Sequence, residues 1–184
     1  MSQQNMETID ALAHLYPGET LQAIGSGPSL ARLDAERLAN GPVIAINYAI
    51  QAVEKLDLPP RGHPPHDRVY SMQKDQAFLP DCRAPILAHA HESAKNGDFG
   101  DYVFDCERDF GIPWDTPSIV VCLHLAKLFG CSAVEFWACD SFWGDFRSYD
   151  GKVVTLDERA RHYAYHPVMV RGAAARLGLS WSVR

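Results

Sequence analysis

The chain has no C-x-x-C pair, no apolar run of membrane length and no excess of basic residues. Each absence removes a class of protein. The five cysteines (Cys82, Cys106, Cys122, Cys131, Cys139) are odd in number and lack zinc-ligand spacing, which argues against a cysteine-built metal site. Three lie in or beside apolar stretches and read as reduced, buried thiols. No stretch approaches the roughly 20 apolar residues that cross a bilayer, so no membrane span is expected. The first residues, Met1-Ser2-Gln3-Gln4-Asn5-Met6-Glu7, carry neither the basic nor the apolar region of a signal peptide, and a cytoplasmic location is expected. With 17 Lys+Arg against 23 Asp+Glu the net charge is -6. That weighs against broad binding of nucleic acid, whose affinity comes largely from cations on phosphates. There is no internal repeat and no low-complexity tract.

What the chain does have is enough apolar residue, 47% of 184, to bury a full core, and a length that favours one domain. Short apolar runs alternate with helical patterns. Strands are expected at 20–24, 43–47, 67–72, 84–90, 133–138 and 179–183, with a short one at 102–104. Val43-Ile44-Ala45-Ile46-Asn47 is apolar almost throughout, as in a parallel strand covered on both faces. Residues 5–16 read as a short amphipathic helix, so that 1–19 would be a helical extension of a single domain, 1–184. Helices are also expected over 29–38, 48–56, 117–129 and 167–177. Thr116 suits the N-cap of the third, with Pro117 at its first position and Gly130 closing it. Asp105-Cys106-Glu107-Arg108-Asp109 reads as a solvated turn. The fold class expected is α/β, a doubly wound, mostly parallel, Rossmann-like sheet. A loop or lid near 141–156 would cover ligands at the carboxyl ends of the strands.

The first strand runs into Gly25-Ser26-Gly27-Pro28-Ser29-Leu30. A turn of this kind can present backbone N–H groups to a phosphate, because glycine has no Cβ to hold the ligand off. It lacks the third glycine of the dinucleotide fingerprint and the Gly-Lys-Ser/Thr end of a P-loop. A plain tight turn between strand and helix fits the same residues. Asp140 follows an apolar strand, where it would ligate Mg²⁺, hold a ribose or cap the next turn. Phe142, Trp143, Phe146 and Tyr149 would stack on a base or sugar, or form a small satellite core. His89-Ala90-His91 has strand spacing, and with His63 or His66 would be a metal site; no carboxylate stands at a diagnostic spacing, and no metal is expected. His124, on the apolar helix, reads as a hydrogen-bonded structural histidine.

Three patches, in this order, resemble a known family: Gly25-Ser26-Gly27-Pro28-Ser29-Leu30 with Val43–Asn47; Thr116-Pro117-Ser118 with Phe136–Trp143; and His162-Tyr163-Ala164-Tyr165-His166. Together they resemble the bacterial lipooligosaccharide sialyltransferases, which move sialic acid from CMP-sialic acid to a sugar hydroxyl. The first two patches also resemble the 6-hydroxymethyl-dihydropterin pyrophosphokinase-like family. The first resemblance implies a transferase that needs no metal or cofactor. Gly25, Ser26, Gly27, Pro28, Ser29 and Asn47 would contact the donor's phosphate and ribose. Thr116 and Ser118 at a helix N-terminus would hold an anionic part of the donor. His166 would be the general base on the acceptor hydroxyl, and Tyr163 and Tyr149 would bond the departing phosphate. His166 precedes Pro167, which pushes it out of helical geometry and towards the mouth of the last helix. The unperturbed pKa of an imidazole, about 6.5, suits general-base work at neutral pH. The second resemblance implies an ATP- and Mg-dependent enzyme with Asp140 on the metal. The chain departs from the sialyltransferase pattern at Ser26, at Phe142-Trp143 and at Trp114-Asp115, in place of Asn, Tyr and Arg. Those departures keep a third alternative open, a nucleotide-binding module without chemistry. The partners expected are a nucleotide-sugar donor and a small or glycan acceptor, with self-association left open.

Overall fold

The computed structural model describes residues 7–38, 40–56, 58, 68–74, 81–97, 99–143 and 164–184. Eight strands form one sheet: β1 (Glu7–Thr8), β2 (Thr20–Ile24), β3 (Val43–Ile46), β4 (Val69–Gln73), β5 (Ile86–His89), β6 (Tyr102–Phe104), β7 (Ala133–Trp137) and β8 (Ser180–Val183). Their spatial order is β1-β6-β5-β4-β3-β2-β7-β8, and every neighbouring pair is parallel. The α/β, Rossmann-like expectation therefore holds.

Both faces of the sheet are covered. Alternation along the strands decides which residue meets which layer. Leu21, Ala23, Ile44, Ile46, Tyr70 and Met72 enter one core, while Ile24, Val43 and Ala45 enter the other. The larger core lies under α4 (Ser118–Leu128) and α5 (His166–Leu177). The smaller lies under the 3-10 helix Pro28–Arg32 and α1 (Ile50–Val53). Gly130 and Gly178, both at left-handed φ (82° and 68°), end the two long helices and turn the chain into β7 and β8. Two shorter helices, α2 (Ala90–Lys95) and α3 (Cys106–Phe110), follow β5 and β6.

Several expectations need correction. Within the expected 5–16 helix, the described residues 7–16 form no α-helix: Glu7–Thr8 pair with β6, and only Ile9–Leu12 coil, as one 3-10 turn. His14 takes φ 59° there, which a continuing helix forbids. Within the expected 1–19 extension, the described residues pack into the domain. Ile9, Leu12 and Tyr16 are core residues. The Tyr16 hydroxyl lies 2.9 Å from that of Tyr70, and both rings pack on Phe129 at 5.7 and 5.3 Å. The expected 29–38 helix shrinks to Pro28–Arg32. The cap of α4 falls on Pro117 rather than Thr116, with no side-chain bond; the amide of Thr116 donates to Pro113. Asp105–Asp109 is not a bare turn but the start of α3. Asp105 accepts from the amides of Glu107 and Arg108 at 2.9 and 3.0 Å, and a buried Cys106 anchors it.

His124 on α4 carries a testable charge effect. Its Nε2 is buried without a hydrogen-bond partner, and its ring lies 5.5 Å from that of Phe110. Burial, with the Arg176 charge behind it, pushes its pKa down. An unfolded histidine titrates near about 6.5. As pH falls below that, the unfolded chain takes up the proton and the folded chain resists it, so stability falls. The urea midpoint should decline from pH 7 to pH 5, and less steeply in His124→Gln. Equal slopes for the two proteins would remove His124 as a source.

Candidate functional site

After β2 the strand order reverses once. From β2 the chain steps outward through β3, β4, β5 and β6, then returns to lay β7 and β8 on the other side of β2. Beyond their carboxyl ends β2 and β7 therefore lead the chain in opposite directions, which makes this the usual place for a ligand in such sheets. The β2 turn supplies Gly25–Ser29. The β7 turn supplies Ala138, Cys139 and Asp140.

These two turns are bonded to each other rather than spread apart. The amide of Gly25 donates to Trp137 at 2.8 Å and that of Gly27 to Ala138 at 2.9 Å. The Asp140 carboxylate accepts from the Ser29 amide at 3.0 Å and from its hydroxyl at 2.8 Å through the same oxygen, Oδ2. The glycines are required by this approach. A Cβ on Gly25 would lie 2.6 Å from the Ala138 carbonyl oxygen, and one on Gly27 would lie 2.8 Å from it and overlap the Asp140 carboxylate. Ala138 itself takes φ 52°, a left-handed conformation that costs an alanine about 1–2 kcal/mol. Strain of this kind is held in place by surroundings that over-determine it.

The sequence expectation that this turn offers bare amides to a phosphate is thus corrected. Three of its N–H groups already have acceptors within the chain, and one acceptor is a carboxylate. Asp140 caps, but it caps the Pro28–Arg32 helix from 111 residues away rather than the turn that follows it.

The other candidate residues reach the same edge by topology. Helices α4 and α5 each precede the strand they feed and run against the sheet direction. Their N-termini, with Ser118 and His166, therefore sit at the carboxyl edge of the strands. His166 is 5% exposed, and its Nδ1 lies 3.4 Å from the hydroxyl of Ser141, the residue after Asp140. Gly27, Asp140, Ser141 and His166 consequently form one connected line. Asn47 follows β3, adjacent to β2, at φ 51°, with its side-chain oxygen buried and unbonded. Thr116, buried, stands two residues before α4 begins. Tyr149 and Tyr163 lie outside the described residues, as do His63, His66, Phe146, His162 and most of the expected 141–156 loop. Phe142 joins the core, 5.8 Å from Phe136 and 6.0 Å from Trp181.

Sequence reasoning missed Lys74. It follows β4 at the same edge and is 4% exposed; a lysine directly behind an apolar strand was the available signal. Four of the five cysteines are buried and Cys82 is partly exposed. Burial raises Cys131 and Cys139 to about 12 and Cys122 well above its usual range. Among the described residues no group of three or more His, Cys, Asp or Glu is placed to hold a metal. His89 ends β5 while His91 lies in the first turn of α2, so the strand spacing expected of the pair is broken. A scan against family models finds no match, and no curated protein matches the chain.

Gly27→Ala should lower stability by about 1–3 kcal/mol in urea unfolding, the usual cost of overpacking. A loss within about 0.5 kcal/mol of parent, as at an ordinary surface position, would mean that the two turns do not approach as described.

Proposed function

We propose that the chain is a transferase that takes a nucleotide-activated sugar, CMP-linked as in the sialyltransferases it resembles, at the carboxyl ends of β2 and β7. The observation that carries this reading is the line Gly27–Asp140–Ser141–His166. It joins a strand-end turn to an imidazole at the topological switch point of a parallel sheet. In this reading the Nε2 of His166 takes the proton of the acceptor hydroxyl. The freed oxygen attacks the donor sugar carbon, and the bond from that carbon to the phosphate oxygen breaks, with its electrons leaving on the nucleotide. Ser141 steadies the ring from the Nδ1 side. The N-terminus of α4, with Thr116 and Ser118, and the Lys74 ammonium supply positive potential for the donor's anionic groups. Asn47 offers its side chain to the ribose.

Asp140 favours a second reading. A phosphate within about 4 Å of its carboxylate would be opposed by about 4 kcal/mol at a surface-like dielectric. A divalent cation between the two would reverse the sign, as in an ATP- and Mg-dependent pyrophosphoryl transfer. A module that binds nucleotide without turnover is the third outcome.

Thermal unfolding with CMP, CMP-sialic acid, UDP-sugars and ATP, each with and without Mg²⁺, separates them. A ligand at about 100 times its Kd adds roughly 2.7 kcal/mol, several degrees for a chain of this size. On the first reading a CMP-sugar shifts the transition without Mg²⁺, Asp140→Asn keeps that shift, and His166→Gln keeps it while losing transfer. On the second, ATP shifts it only with Mg²⁺, and Asp140→Asn abolishes the effect. Undiminished transfer by His166→Gln, or no shift with any nucleotide, would overturn the first reading.

A further inference from the structure

A second hollow opens at the same edge of the sheet, behind β5 and β6. It encloses about 270 Å³ and is lined by His89, His91, Asp105, Glu107 and Trp114. Three strand steps separate β5 from β2, about 14 Å at the usual strand spacing. This is therefore not the switch-point site, and nothing in the proposed transfer uses it.

Its chemistry is lopsided. Two carboxylates line it and no lysine or arginine does. The nearest guanidinium in sequence, Arg108, is held by Asp109, with its Nη2 2.8 Å from Oδ2. That contact lowers the Asp109 pKa and raises that of Arg108. Asp105 spends one oxygen, Oδ1, on the cap of α3. Beside the carboxylates Trp114 is 58% exposed, a large ring left in water, with His91 tilted against it at 6.0 Å between centroids. The back wall is rigid. The Nδ1 of His89 accepts from the His91 amide at 3.2 Å, the Cys106 amide points at its Nε2 at 3.4 Å, and its ring meets Phe104 edge-on at 5.4 Å. His89 thus shapes the back of the hollow.

We infer that this hollow binds a small organic cation, an ammonium carried on a flat apolar body. The indole face of Trp114 and the carboxylates of Asp105 and Glu107 attract the charge, and His91 packs on the body. Both attractions favour a cation, and they act together: an aromatic face draws a positive charge through its quadrupole, and the carboxylates draw it by direct charge. The volume sits at the small end of ligand sites, so a compact ligand with an affinity of order millimolar is expected.

Benzylamine is the probe, and benzyl alcohol and glucose are its uncharged controls. Titrations of the full chain are followed by the Trp indole and backbone N–H resonances, with the Trp114 signal assigned through Trp114→Phe. Benzylamine should move the Trp114 indole and the amides of His91 and Glu107 saturably. Glu107→Gln should weaken binding about fivefold, Trp114→Ala more than that, and added salt should weaken it further. Both variants change exposed side chains, and unchanged thermal transitions would confirm that they fold. Equal binding of benzyl alcohol would overturn the proposal, since no charge would then be read. Preferential binding of glucose would replace it with a carbohydrate site. Movement confined to Gly25–Ser29 and Asp140, or no saturation by 20 mM benzylamine, about tenfold above the expected Kd, would also overturn it.

Discussion

One carboxylate holds the centre of this molecule together. Asp140 takes two hydrogen bonds from Ser29 and so ties the turn after β2 to the turn after β7, where these neighbouring strands lead the chain in opposite directions. Bonds to a charged acceptor are worth more than neutral ones, about 1.5–3 kcal/mol each. Here they are reinforced by the amides of Gly25 and Gly27 on neighbouring carbonyls. Much that is unusual locally follows from that closure. Glycine is needed where a Cβ would strike Ala138 or Asp140. Ala138 is held at positive φ because its carbonyl must face the Gly27 amide. Ser141 is carried to within reach of His166.

The same closure sets the terms for function. A glycine turn whose amides are turned inward is a poor phosphate cradle by itself, so an anionic ligand has to draw on other groups at the strand ends. Those present are the N-termini of α4 and α5, Lys74 and Asn47. The cradle is also negative where Asp140 sits. A sugar nucleotide held by its ribose and sugar, or a phosphate bridged by a cation, suits such a surface better than a bare phosphate nested in the turn.

The layered fold was readable because its causes are local. Val43–Ile46 has no polar residue, as suits a strand buried on both faces. Gly130 and Gly178 stop helices where left-handed φ is needed. The departures have causes that no single segment displays. Glu7–Thr8 became a strand because β6 offered it an open edge, a partner almost 100 residues away. Asp105 looked like part of a solvated turn because its capping role depends on Cys106 being buried. What the sequence placed correctly is position along the strands, not wiring. Gly25–Ser29, Asp140 and His166 do gather at one end of the sheet. That Asp140 would reach back to Ser29 and use up the turn's amides depends on which strand lies beside β2, and strand order is not written in any local pattern.

The central claim is that Ser29 and Asp140 act as a single fastening between the two turns. A double-mutant cycle of Ser29→Ala and Asp140→Ala, read by urea unfolding, tests it most directly. The expected coupling is about 0.5–3 kcal/mol, the range for directly bonded pairs. Effects that add to within about 0.3 kcal/mol would show that the two residues do not hold each other, and the site would lose the contact on which it is built.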